Sequence, residues 1–389
     1  VATGCNIGCS VIISQLFGGK KFAHLKTAVS TSLVSVLVLS IFMTVVGRLA
    51  CPLLMQLLQT PANIFADAEI YLNIYVYGLV FLFVYNVCNG IFVALGDSKT
   101  PLIFLIFSSV SNIVLDIAFV VVFKRGVDGI AFATFLCQGI AALLSIITLF
   151  VKLHKIKTEK YKKFSWDMLG KISIVAIPSI LQQSFISVGN LFIQGIVNSF
   201  GSKVIAGYAA AVKLNTFGIM SFSTLGNALS SFCAQNLGAG KAERVHEGFK
   251  SALAITSIIV LPLSIVYVAF APQLMGLFVG SGNTAVIQAG SLFLRTIAPF
   301  YIIVAVKLLI DGVLRGGSAM TAFMVATFSD LILRVVLSYV FIGYVNTPLS
   351  IWVSWPIGWI IATLFSVYFY KKGVWKKRIL YNEQYIYLH

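Results

Sequence analysis

Long apolar blocks alternate along this chain with brief punctuation by Gly, Pro, Asn and charge. The blocks predict helices at 1–17, 22–50, 66–95, 100–123, 127–151, 168–199, 203–237, 242–271, 284–315, 318–344 and 349–371. Crossing a hydrocarbon layer about 30 Å thick takes about 20 apolar residues, so these blocks span a bilayer repeatedly, and several have length to spare for tilt. Two shorter apolar pieces, LACPLLMQLL (49–58) and FAPQLMGLFV (270–279), follow helix ends. Each either lies as an amphipathic turn in the interface or extends the helix before it.

The pattern repeats. A shift of 220 positions lays Gln15 on Gln235, Gly18 on Gly238, Pro52 on Pro272, Met55 on Met275, Gly96 on Gly316 and Ser98 on Ser318. In so apolar a chain, a tandem repeat indicates two related bundles that rock about a shared site, as secondary transporters do. The most polar interval, HKIKTEKYKKFSWD (154–167), is the natural linker. The organisation therefore reads as an N-lobe (1–153), a cytoplasmic linker (154–167), a C-lobe (168–375) and a cytoplasmic tail (376–389). If the second repeat opens near 168, its counterpart starts about fifty residues before Val1. The expected fold class is an all-α polytopic membrane protein of two six-helix bundles related by pseudo-two-fold symmetry along the membrane normal, with the first helix and half of the second missing.

Composition sharpens this picture. Hydrophobic residues make up 59% and charged residues 10%, against about 25% charged in soluble domains, which excludes a soluble fold. The net charge of +16 would suit a nucleic-acid binder, but 20 of the 28 Lys and Arg lie at one set of alternate helix boundaries and only Arg48, Lys124, Arg125 and Lys203 at the other. That is the positive-inside pattern, so it places both termini in the cytoplasm of a multi-pass inner-membrane protein and calls for no nucleic-acid partner. The cysteines (5, 9, 51, 88, 137, 233) lack CxxC spacing and the histidines (24, 154, 246, 389) are scattered; no metal site or cofactor is expected.

Ionisable groups inside a bilayer cost about 2.5 to 3.5 kcal/mol each at a helix centre and need a reason to be there. Lys307 and Asp311, and likewise Asp330 and Arg334, are four apart, which on a helix puts opposite charges on one face as structural ion pairs. Asp116 has no such local cation. Asn112 shares its face, and Thr134 interrupts the apolar run GIAFATFLC that follows. A carboxylate, an amide and a hydroxyl converging there suit either proton uptake by a desolvated acid or a hard cation held by oxygens; alternatively, Asp116 is capped by a hydrogen bond or answered by a distant cation such as Lys213. By eye, SDLILR (329–334) aligns with SNIVLD (111–116), setting Asp330 opposite Asn112 and Arg334 opposite Asp116. Helix 168–199 carries Pro178, a candidate hinge, with Gln183, Asn190 and Gln194; Phe217 and Met220 on the next helix add adaptable apolar contacts, together a candidate substrate cavity.

With this repeat, the segments SQLFGGKKFAHLKTA and ALGDSKTP and their second-half partners AQNLGAGKAERV and LRGGS make the chain resemble the multidrug and toxic compound extrusion (MATE) family over residues 1 to 375. The resemblance implies a twelve-helix antiporter with two lobes around a central cavity, exporting organic, often cationic, drugs or metabolites in exchange for H⁺ or Na⁺. It also implies an N-lobe ion site to which Asn112, Asp116 and Thr134 correspond, the family's helix-1 Asp lying outside this sequence. A second branch uses an acidic residue upstream of the LRG motif, where this chain reads YIIVAVKLL. The partners so implied are a small organic substrate and the lipid bilayer, the protein being a monomer and not an enzyme, with no cofactor beyond the coupling ion. The competing class is a flippase of lipid-linked precursors or polysaccharides, which calls for a strongly basic cavity. A membrane enzyme or a channel is disfavoured, since neither a catalytic set nor acidic pore rings are visible.

Overall fold

A computed structural model describes residues 1–57, 63–158, 160–280 and 282–376. All of the tail 376–389 except Lys376, and the last residue of the piece 49–58, lie outside the described residues. The helices are α1 (Ala2–Gly18), α2 (Phe22–Leu57), α3 (Phe65–Ala94), α4 (Lys99–Ile117), α5 (Val127–Lys155), α6 (Trp166–Asn198), α7 (Ser202–Gly238), α8 (Ala242–Ala269), α9 (Ala271–Val279), α10 (Thr284–Ile297), α11 (Tyr301–Gly316), α12 (Met320–Tyr344) and α13 (Pro348–Lys371). Among the described residues there is no strand. Ten spans are long and apolar enough to cross a membrane, α10 and α11 together making one of them. In a bilayer the backbone must satisfy its own hydrogen bonds, and an all-helical chain does so.

The chain divides into two compact units, Val1–Ile177 and Pro178–His389. The division falls within α6, beyond the basic linker. The start of α6 packs within the first unit, where an ideal Cβ on Gly8 would stand 2.5 Å from the Cβ of Ala176. Helix α6 runs through Pro178 without a break.

Within the first unit, α3 approaches α1 so closely that a Cβ on Gly90 would lie 2.9 Å from the carbonyl oxygen of Asn6. The second unit repeats the device on α11 and α7, where a Cβ on Gly312 would collide with the carbonyl of Gly226. Lipid tails are as apolar as leucine, so helices in a bilayer gain by close backbone packing, and small residues permit it. Nearer the other end of α7 the second unit stacks aromatic rings. Tyr208 lies flat on Trp352 at 4.9 Å between centroids, while Phe293 meets Trp352 edge-on at 5.0 Å. The buried hydroxyls there are spoken for, Tyr301 donating to Asn215 Oδ1 (3.0 Å) and Tyr267 to the Leu214 carbonyl (2.8 Å).

One predicted element differs. The block 284–315 is not one helix: a 3-10 turn at Ala298–Phe300 separates α10 from α11. Pro299 has no N–H with which to bond the carbonyl four residues back, so the α-helical ladder breaks there. The two short apolar pieces differ from each other. The first continues α2 through Pro52, whereas the second, with a proline in its first turn, is the separate nine-residue helix α9.

The duplication is visible in backbone detail. The turn after α1 bonds Gly19 N to Gln15 O, Lys20 N to Phe17 O and Lys21 N to Leu16 O; the turn after α7 repeats this 220 residues on, at Ala239, Gly240 and Lys241. Lys20 and Gly240 both take a left-handed φ, 55° and 73°. Further along, the register drifts. The turn after α3 (donors Leu95, Gly96, Asp97) matches the turn after α11 (Gly317, Ser318, Ala319) at a shift of 222, and left-handed Gly96 (φ 80°) corresponds to Ser318 (φ 54°) rather than Gly316. Gly90 and Gly312 obey the same shift. The two extra residues lie between Met275, where the shift is still 220, and Gly312.

Candidate functional site

In the first unit the residues singled out from sequence come together across α4 and α5. Asn112 Nδ2 donates to Thr134 Oγ1 at 3.3 Å. One turn further, Asp116 is half-buried, and its Oδ1 is enclosed with no hydrogen-bond partner among the described residues. Cys137, one turn beyond Thr134 on α5, lies within electrostatic reach of the carboxylate. Among the described residues no ion pair engages Asp116, whereas Asp97, Asp128, Asp167, Asp311 and Asp330 are each answered by Lys or Arg. A buried acceptor left unpaired costs about 1–3 kcal/mol, more if charged, so this oxygen is one that a proton or a cation would satisfy.

The local backbone reinforces this. Directly after Asp116 the helix widens into a π segment, Ala118–Val122, with Phe123 N bonding Ala118 O at 3.0 Å. Such segments are rare and concentrate at functional sites, because the extra residue re-aims side chains and frees backbone groups. A cluster of rings closes the turn into α5: Phe119 meets Phe132 edge-on at 6.2 Å, and Phe132 stacks on Phe135 at 5.9 Å. Periodicity in FVVV could not announce the π segment, since uniformly apolar residues fit either helix.

The second unit carries charge differently. Lys307 Nζ bonds Asp311 Oδ2 at 2.7 Å, with Thr327 Oγ1 at 3.4 Å and Ser366 donating to Asp311 Oδ1 at 3.2 Å. Arg334 bonds Asp330 at 2.9 Å and lies 4.4 Å from the centre of the Trp355 ring. Arg315, not singled out from sequence as part of this group, is also buried; it donates to Asn227 Oδ1 at 2.9 Å and stacks on Phe323. These cross-helix partners leave no trace in i,i+4 spacing. The register shift corrects the alignment by eye: Val122 and Tyr344 close their helical runs 222 apart, so Asp116 corresponds to Ser338 and Asn112 to Arg334. Ser338 Oγ meets Ser354 Oγ at 2.8 Å, linking α12 to α13 through hydroxyls where the first unit has a carboxylate.

The candidate cavity residues are spread over surfaces of α6 and α7. Asn190, Phe217 and Met220 are exposed, and Gln183 and Gln194 half-buried, with Gln194 donating to Asn198 Oδ1 at 2.8 Å. Phe217 and Met220 leave 70% and 63% of their surface uncovered, large apolar side chains facing outward one turn apart.

Ten helical spans among the described residues, long and apolar enough to cross a membrane, make this a polytopic membrane protein, with Asp116 on one of those spans. The MatE family model matches residues 1–118 and 178–340. The chain belongs to this family of multidrug efflux transporters. It is similar to a probable multidrug resistance protein of Bacillus subtilis, YpnP, with 31% identity over 98% of this chain and 85% of that protein. A second from the same organism, YoeA, is 26% identical over 96% of this chain and 82% of its own length. A MATE crystal structure in complex with MaL6 shares the fold at TM-score 0.89 and 23% identity, covering 97% of this chain and 86% of that one.

Proposed function

We propose that this protein is a secondary antiporter that exports organic, mainly cationic, drugs or metabolites in exchange for H⁺ or Na⁺, by alternating access between its two lobes. The observation that carries the reading is the enclosed, unpartnered Asp116 Oδ1 next to the Asn112–Thr134 hydrogen bond and the π segment. An entering ion neutralises Asp116, the helices around it repack, and affinity for the exported compound falls. Coupling requires ion and substrate to prefer different states, at about 1.4 kcal/mol per tenfold difference. Gln183, Asn190 and Gln194 orient varied ligands through neutral amides, and Phe217 and Met220 adapt to their apolar parts. Pro178 is the hinge of α6. The protein works as a monomer in the inner membrane, with the basic loops and both termini cytoplasmic.

The test is efflux of an ethidium-like dye from vesicles after imposing a pH or a sodium gradient separately. Asp116→Asn keeps the shape and removes the charge, so ion-driven efflux is expected to fall to background while dye binding persists. Wild-type efflux by that variant would overturn the coupling role. If one H⁺ exchanges for one monovalent cation, no net charge moves and a membrane potential, worth about 2.3 kcal/mol per charge per 100 mV, leaves the rate unchanged.

A further inference from the structure

The basic linker does not hang free beside the first unit. It is clipped along α2 by three hydrogen bonds: Lys162 N to Thr27 Oγ1 (3.2 Å), Ser30 Oγ to the Lys163 carbonyl (2.5 Å) and Ser165 N to Thr31 Oγ1 (3.2 Å). Between this strap, α2 and the end of α5 lies a cavity of about 230 Å³. Its apolar wall is formed by buried Val29 and Leu153 with half-buried Leu33, the exposed Phe150 and Val34 stand at its edge, and its mouth carries Lys26, His154 and Tyr161. Lys26 Nζ sits 5.6 Å from the centre of the Tyr161 ring. Among the described residues no acidic side chain lines the cavity. The sequence 154–163 holds five lysines and one glutamate, Glu159, which lies outside the described residues.

Two further observations set the depth. Trp166 is 78% exposed and meets Phe164 edge-on at 5.0 Å, directly after the strap. Exposed amphipathic rings of this kind sit at the level of lipid headgroups. The cavity is therefore at the end of two membrane-spanning helices, with a greasy interior and a cationic rim. A free inorganic anion would use only the rim, while an acyl glycerol phosphate would use both parts. Basic pockets between spans on the positively charged face are where acidic headgroups bind.

We infer that this cavity binds one anionic phospholipid, its phosphate held by Lys26 with the Tyr161 hydroxyl and its glycerol and upper acyl carbons against Val29, Leu33 and Phe150. The lipid then becomes a part of the joint between linker and α2. The site is separate from the Asp116 region and does not depend on the antiport reading.

The experiment is native mass spectrometry of the full chain, titrated with phosphatidylglycerol, with phosphatidylcholine and with inorganic phosphate. A saturable single phosphatidylglycerol is expected, which neither phosphatidylcholine nor phosphate displaces at equal concentration. Lys26→Gln is expected to weaken it about fivefold, the value of one basic residue near an anionic surface. Val34→Trp, at the half-open edge of the groove, keeps every charge and is expected to weaken binding as well by filling the acyl path. Lys124→Gln, in the turn between the π segment and α5, leaves it unchanged. Equal binding of phosphatidylcholine, displacement by inorganic phosphate, or unaltered affinity in either Lys26→Gln or Val34→Trp overturns the assignment.

Discussion

Removing the Asp311 carboxylate tests how this fold tolerates charge in its interior. Lys307 and Asp311 keep only 3% and 1% of their surface exposed, and their charged atoms are 2.7 Å apart. If the pair acted only as a hydrogen bond between side chains in a membrane protein, its loss would cost about 0.6 kcal/mol. The structure argues for more. Without Asp311, the Lys307 ammonium retains only the distant Thr327 hydroxyl at 3.4 Å, and Ser366 loses its acceptor. An uncompensated buried charge costs about 3–5 kcal/mol, so Asp311→Leu falls in that range. Replacing both members, Lys307→Met with Asp311→Leu, removes the orphan charge and restores most of the loss, because a well-packed apolar pair is about as stable as a buried ion pair. The assay is a double-mutant cycle on reversible unfolding in mixed micelles, with an expected coupling of at least about 3 kcal/mol, since each single orphans a buried charge and the double does not. A coupling near zero, or a double variant as unstable as the sum of the singles, refutes the reasoning.

Other outcomes follow from packing and turns. Gly312→Ala pushes a methyl into the Gly226 carbonyl and is expected to cost at least about 3 kcal/mol, at the upper end of overpacking effects; folded yield and unfolding midpoint report it. Gly195→Ala, on α6 with nothing within 4 Å of the added carbon, is expected to stabilise by about 0.5–1 kcal/mol in the same assay. Lys20 holds a left-handed turn that Gly240 occupies in the second copy, so Lys20→Gly is expected to be neutral or to gain up to about 1 kcal/mol. Asp97 accepts from the Lys99 and Thr100 amides and from the Thr100 hydroxyl; Asp97→Ala is expected to cost about 1–2 kcal/mol and to speed amide exchange at the start of α4.

The helices and the duplication were legible because burial in lipid writes itself into long apolar runs, and because Gln15 and Gln235 end their helices in the same turn. The pairings Lys307–Asp311 and Asp330–Arg334 were legible for the same reason, being local to one helix. Long-range geometry was not. The break at Pro299 hides inside a run that is apolar on both sides, and the register drift to 222 misled an alignment built on the likeness of SNIVLD and SDLILR. Arg315 finds Asn227 on another helix and Asp311 finds Ser366 fifty-five residues away, contacts that no spacing encodes. Asn112 and Thr134 were placed together from residue type alone, whereas the π segment beside Asp116 has no compositional mark.

The paired glycine contacts, Gly90 on Asn6 and Gly312 on Gly226, have a mechanical meaning. Two helices that touch along their main chains have little side-chain padding to shear, so each pair resists bending as one beam. Helices such as α4 and α8, which no described glycine brings into main-chain contact with a neighbour, are the compliant parts. Hydrogen–deuterium exchange should then divide each copy the same way, with the slowest amides on α1–α3 and on α7–α11, and the stiffness of the original half-molecule preserved in its duplicate.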